Sequence, residues 1–156
     1  MQTYTIRPIG FVRKAENDEP YLEILPEYEK GLYRLETISH IFILWWFHER
    51  DTPEDRVASI DVPRVRDSIT PPEEMGNLAT RSPSRPNPIG LTLVKIIQID
   101  GPRIYVDELE AFEGTPVIDI KPYLPNGDRV DESVFLPKWF EHLLESRPSD
   151  RRFANN

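Results

Sequence analysis

The hydrophobic residues of this chain fall in short runs cut off by Pro, Gly, Asn or Asp, and that spacing predicts strands rather than long helices. Residues 39–47, SHIFILWWF, are apolar on both alternating faces. This is the pattern of a strand covered on both sides or crossing a tight barrel, so the run is the expected central strand. Residues 3–12 carry Tyr4, Ile6 and Phe11 among polar neighbours and read as a first strand, with Pro8 pushing it toward a sheet edge or a bulge. Residues 91–99, 103–109 and 116–120 complete the expected sheet, and Asp100-Gly101 stand where a hairpin turn belongs.

Helical periodicity is scarcer. Pro26, followed by Glu27, Tyr28, Leu32 and Leu35, predicts a short helix with proline in its first turn and acids at its positive end. Residues 137–144 repeat the pattern and set Phe140, Leu143 and Leu144 on one side. The stretch 50–88 is rich in proline and poor in periodicity, which predicts an ordered loop of the kind that often carries function. Residues 147–156 have no apolar pattern and are expected to fray. The expectation is one mainly β domain over 1–146 with a few short helices, and no internal repeat.

Composition narrows the setting. A chain of 156 residues fits one domain with a real core. It has no cysteine, hence no disulfide framework and no thiolate metal site. The absence of a charged-then-apolar leader points to the cytoplasm. The longest mainly apolar run, 41–47, falls far short of the roughly 20 residues of a membrane helix, so no membrane span is expected. Acids outnumber bases by 27 to 19, a formal charge of −8, which is the wrong sign for affinity based on generic phosphate neutralisation. The excess is uneven, because residues 75–99 contain no acid but do contain Arg81, Arg85 and Lys95. Either this is a local positive island, or the acidic surface serves solubility alone.

The densest candidate chemistry is Arg81-Ser82-Pro83-Ser84-Arg85-Pro86-Asn87-Pro88-Ile89-Gly90. Its prolines fix φ and hold the preceding residues away from helix, so the side chains are pre-set at low entropic cost. Arginine offers a planar fork to carboxylate or phosphate, Asn87 offers a donor and an acceptor, and Gly90 permits close approach. The same residues also make a rigid turn with solvated arginines. Further on, Asp119, Lys121 and Tyr123 share one strand face at a spacing of two. That row suits a polar substrate or a proton step, and equally an ordinary surface ion pair. His48 and Glu49 close the apolar strand, with His40 on the same face as His48. No third ligand stands at zinc-like spacing, so no metal is expected. Neither GxGxxG nor GxxxxGK occurs, which removes the fingerprint of a doubly wound cofactor fold.

MGNLATRSPSRPNPIGLTLV from Met75 and EGTPVIDIKPYLP from Glu113 together resemble the two signature segments of the TrmO (TsaA-like) family, and IRPIGFVR and SHIFILWWFHE extend the similarity over residues 6–125. The resemblance implies a single small β-barrel, closed or partly open. It implies a homodimer that holds S-adenosylmethionine near the subunit contact and methylates N6 of threonylcarbamoyladenosine beside the anticodon of transfer RNA. Carried over, it makes His48, Glu49, Arg81, Leu91 and the strand end Asp107, Glu108, Leu109 and Glu110 the expected cofactor contacts. Arg85, Pro86, Pro88 and Thr115 become substrate contacts, and Asn87, Asp119, Lys121 and Tyr123 the residues that orient the adenine or accept its proton.

Three departures stand out. Glu19-Pro20-Tyr21-Leu22-Glu23 occupies the neighbourhood of the family's Pro-Arg-Gln segment, and Glu113 stands where Asp is usual. Longer members carry a C-terminal extension that helps hold transfer RNA, whereas this chain ends soon after its last expected helix. Two alternatives therefore stay open: a methyltransferase of a small metabolite or another RNA, and a non-catalytic S-adenosylmethionine-binding dimeric module.

Overall fold

The computed structural model describes residues 2–62 and 73–140, and within them the chain is mainly β. In chain order the elements are β1 (Gly10–Lys14), β2 (Pro20–Ile24), β3 (His40–Trp46), α1 (Pro53–Val57), β4 (Ile60–Asp61), β5 (Met75–Gly76), β6 (Ile89–Asp100), β7 (Arg103–Val106), β8 (Pro116–Pro122) and α2 (Pro125–Asp128). Short 3-10 turns fill several connections, including Pro26–Leu32 and Lys138–Phe140. Six strands pair antiparallel in the order β1-β2-β7-β6-β3-β8, and the last returns to the first to close a barrel. The seam is narrow: only Gly10↔Val117 and Phe11↔Pro116 pair across it.

Alternation sets the inside and outside of this ring. Along β3, Ile41, Ile43 and Trp45 are buried, while Phe42, Leu44 and Trp46 stand half-buried on the outer face. The inner residues meet Val12, Leu22, Ile24, Val94, Ile104, Val106 and Val117 in one core. β3 pairs with β6 on one edge and β8 on the other, so the expected central strand is central, and it crosses a barrel with one face filled. The expected hairpin joins β6 to β7, with Asp100↔Arg103 as the last pair and Gly101-Pro102 as the two-residue turn. Gly101 has φ +55° and Pro102 is locked to negative φ, a combination that fits a type II′ turn and excludes type I′.

Several boundaries move. The first strand begins at Gly10 rather than residue 3, and Tyr4 is 82% exposed. β2 ends at Ile24, opposite Gly10, and the chain then turns into the 3-10 helix at Pro26, so the residues before Ile9 lose that partner strand. β2 is a strand that the apolar pattern does not announce. β7 stops at Val106 rather than 109, where the Asp107 carboxylate accepts the Lys95 amide at 2.9 Å. β8 runs on to Pro122. The helix expected at Pro26 forms as a 3-10 helix with proline at its start and Glu27 and Glu29 in its first turn. Of the helix expected over 137–144, the turn Lys138–Phe140 is present; its remainder and the tail 147–156 lie outside the described residues. The described part of 50–88 is an ordered loop: Thr52 caps α1 by accepting the Asp55 amide, and β4 pairs with β5. No helix among the described residues is long and apolar enough to cross a membrane.

Candidate functional site

The loop 81–90 enters β6 along the rim of the barrel. Its prolines carry no N–H, yet its carbonyls still need donors. Donors reach every second carbonyl, one from the loop's own Arg85 and three from the body of the protein. Ser82 O accepts from Arg85 Nη1 at 3.1 Å, Ser84 O from Asn77 Nδ2 at 2.8 Å, Pro86 O from Arg56 Nη1 at 3.3 Å, and Pro88 O from the Phe47 amide at 2.8 Å. The loop thus behaves as an edge strand whose missing neighbour is replaced largely by side chains. A second tie comes from Arg50, which grips Asp55 with two nitrogens at 2.8 and 3.1 Å and also donates to Ser84 Oγ at 2.9 Å. Ser84 Oγ in turn donates to Asp55. The Arg50 guanidinium and the Ser84 hydroxyl hold the Asp55 carboxyl well below the usual carboxylate range. Arg56 and then the Trp46 indole do the same, less strongly, for Asp51.

Behind this loop lies a cavity of about 800 Å3 whose walls include Trp45, Phe47, Arg81, Arg85, Asn87 and Glu110. Pro86 and Leu91 also line it. The Trp45 and Phe47 rings lie 4.3 Å apart between centroids and form its aromatic side. Gly90 is required there, because a Cβ at that position would land inside the Trp45 ring. The Trp45 indole donates to Thr92 Oγ1 at 3.0 Å and Thr92 donates to Glu110 Oε1 at 3.0 Å, which fixes the Glu110 carboxylate at the cavity. The Arg81 guanidinium makes no hydrogen bond or ion pair with the described residues and is exposed at the cavity. Arg85, by contrast, spends Nη1 on Thr80 O at 3.2 Å as well as on Ser82 O, so it is first a brace of its own loop.

The remaining expected residues divide among other places. Asp107, Glu108 and Leu109 line a second, smaller cavity of about 380 Å3 with Lys14, Asp18 and Pro20, and Glu110 borders both cavities. His48 and Glu49 sit in the 3-10 turn after β3, 4.0 Å apart, and line neither cavity; their neighbour Phe47 does. Thr115 is buried at 1% exposure and Pro88 is fully buried, so both are packing residues here and neither lines the cavity. Asp119 and Lys121 do share a face, with Lys121 Nζ 2.8 Å from Asp119 Oδ2, and this pairing raises the Lys121 pKa. That face is the outside of the barrel, where the Tyr123 ring meets Phe42 edge-on at 6.0 Å. Asn87 therefore stands apart from the other three residues expected to act with it. No group of His, Cys, Asp or Glu suited to a metal ion occurs among the described residues.

Sequence reasoning missed Trp45, Phe47, Leu78, Thr80 and Thr92, since their apolar or hydroxyl side chains look like core in a strand or filler in a loop. Asn77, 4% exposed and holding the loop from behind, also escaped; a polar residue at the start of the signature segment MGNLATRSPSRPNPIGLTLV was its one signal.

Residues 11–129 match the family described as tRNA-methyltransferase O N-terminal domain. An S-adenosyl-L-methionine-binding protein of Archaeoglobus fulgidus is 40% identical over 143 residues, covering 81% of this chain and 94% of that protein. A Pseudomonas aeruginosa protein provisionally named as the S-adenosylmethionine-dependent methyltransferase RcsF is 32% identical over 152 residues, covering 84% of this chain and 59% of that protein. The crystal structure of TrmO from Pseudomonas aeruginosa superimposes with a TM-score of 0.64 at 28% identity, covering 85% of this chain; the present chain spans 62% of that one.

Proposed function

Since the chain belongs to the tRNA-methyltransferase O family, we propose that its main cavity binds S-adenosylmethionine and that it methylates N6 of threonylcarbamoyladenosine in transfer RNA. The observation that carries this reading is the convergence of an uncommitted Arg81, a fixed Glu110 and the Trp45–Phe47 wall on one cavity of about 800 Å3. A ligand with a carboxylate, a cationic centre and a flat base needs these three complements, and the volume lies within the range of small-molecule sites. The residues fit the group.

When bound, the sulfonium supplies an already activated methyl group, so the protein's task is alignment and exclusion of water. Arg81 offers its fork to the carboxylate. Trp45 and Phe47 would offer an aromatic wall to the base, and Glu110, held by Thr92, would complement positive charge. Asn87, exposed on the cavity wall, is the candidate for orienting the target amino group.

The Asp119–Lys121–Tyr123 row reaches this chemistry through a second copy of the chain. The outer face beside it carries the cross-strand pairs Phe42–Leu93, Leu44–Leu91 and Trp46–Ile89, an apolar surface continuous with the cavity through Ile89 and Leu91. In the proposed homodimer, joined on this face, one protomer's row would come near the other's cavity. The test is incubation with labelled S-adenosylmethionine and two acceptor panels from cells lacking this protein, their transfer RNA and their small-molecule extract, followed by nucleoside and metabolite analysis. Label in threonylcarbamoyladenosine supports the reading. Label only in a small metabolite or another nucleoside replaces the substrate, and binding with no transfer across either panel leaves a non-catalytic module.

A further inference from the structure

We infer that Asn77 is a positioning residue for the cofactor cavity, setting the place of Arg81 and Asn87 from behind the loop; this rests on the cofactor reading above. Asn77 is 4% exposed and does not line the cavity. Its Nδ2 donates to Ala58 O at the end of α1 and to Ser84 O at the middle of the loop, at 2.8 Å to the latter. Both amide hydrogens are thereby used, each on a carbonyl. The residue follows β5 and opens the 3-10 turn Asn77–Ala79, and Leu78 and Thr80 just beyond it are cavity walls. One buried side chain therefore links α1, the loop and the wall.

Proline chemistry explains why a side chain must do this. Ser84 lies between Pro83 and Pro86, so neighbouring amides cannot hold this part of the loop in a sheet. Arg56 takes the same role two residues on, at Pro86 O. Asp at position 77 would keep the shape of Asn but present only acceptors to two carbonyls, leaving both unsatisfied and repelled. The loop would then lose its register against α1 while the barrel core, which Asn77 does not enter, stays intact.

The experiment is a double-mutant cycle read by calorimetric titration of the full chain with S-adenosylmethionine, using Asn77→Asp, Arg81→Ala and the pair, with near-ultraviolet dichroism to establish that each is folded. Asn77→Asp is expected to weaken binding about tenfold, and to cost less than about threefold once Arg81 is absent, because it acts by placing that group. A residue that only stabilised the fold would give losses that multiply. Arg56→Gln, on the surface, is expected to show the same dependence on Arg81 and serves if Asn77→Asp does not fold. Unchanged affinity in both Asn77→Asp and Arg56→Gln, or full multiplicativity with Arg81→Ala, overturns the inference while leaving the cofactor reading standing. A wild-type chain that does not bind S-adenosylmethionine overturns both.

Discussion

Gly90 and Trp45 share a single volume at the cavity, and this fixes what either position tolerates. Gly90→Ala forces the indole out of its place against Thr92 and is expected to destabilise the protein by about 1–3 kcal/mol, the usual cost of overpacking. Chemical denaturation with unchanged m-value would measure it; a midpoint equal to wild type would mean that the ring moves freely. The two arginines of the loop divide by their partners. Arg81→Ala is expected to weaken S-adenosylmethionine binding by about 1.5–3 kcal/mol without altering the melting temperature, as for a charged hydrogen bond lost to a ligand. Equal affinity by calorimetry would strike Arg81 from the site. Arg85 braces Thr80 O and Ser82 O, so Arg85→Glu disturbs the loop itself and is expected to lower cofactor binding and methylation together.

At the scale of elements, α1 and the turn before it clamp the proline loop, and their acids make the clamp sensitive to pH. Asp51 and Asp55 are both held below the ordinary value of 3.8, the first by Arg56 and Trp46, the second by Arg50 and Ser84. A depressed folded-state pKa contributes stability that is fully present above the unfolded value and disappears as pH falls through the folded one. The loop's anchorage is therefore expected to be constant from neutrality to about pH 5 and to fail in the acid range below the unperturbed value of about 3.9. Emission of Trp46, whose indole donates to Asp51 Oδ2 at 3.0 Å, reports it. In Arg56→Gln the acid midpoint is expected to move up toward 3.8, and an unshifted midpoint would show that Arg56 does not hold Asp51. Such long-range ties explain what the sequence hid. The strands β3, β6 and β8 were legible as apolar runs, and the loop was legible because its prolines and arginines are local in the chain. Arg56 meets Pro86 across thirty positions of irregular chain, a relation that no periodicity encodes. β2 was hidden for another reason: it opens on Pro20, and only Leu22 and Ile24 carry its inward pattern, on either side of Glu23. Trp45 and Phe47 read as core because the side of a cavity and the side of a core demand the same apolar surface.

For the molecule as a whole, the outer apolar face on β3 and β6 and the charge of −8 set the expected partners. Leu44→Lys places a cation on the half-exposed outer side and is expected to convert a dimer to monomers while leaving the fold intact; light scattering at micromolar concentration decides, and a wild-type monomer with full activity would remove the dimer. The proposed association with transfer RNA would rest on the acid-free stretch 75–99, so its salt dependence is expected to be shallow, roughly two to three phosphate contacts' worth. A slope several times steeper would place the RNA elsewhere.

The narrow seam between the first and last strands of the barrel governs how the ring assembles. Gly10 must meet Val117 across most of the chain for only two paired positions, so among the barrel pairings this seam spans the longest stretch of sequence and has the fewest paired residues. The seam is accordingly expected to be the last barrel junction to form and the first to open. Amide hydrogens of Ile9 and Val12, which donate to Val117 O and Thr115 O, are expected to exchange with solvent sooner than those of Ile41 and Ile43. Val117 is also the partner of Trp45 across β3 and β8, so each opening loosens the aromatic wall of the cavity from the side opposite the proline loop.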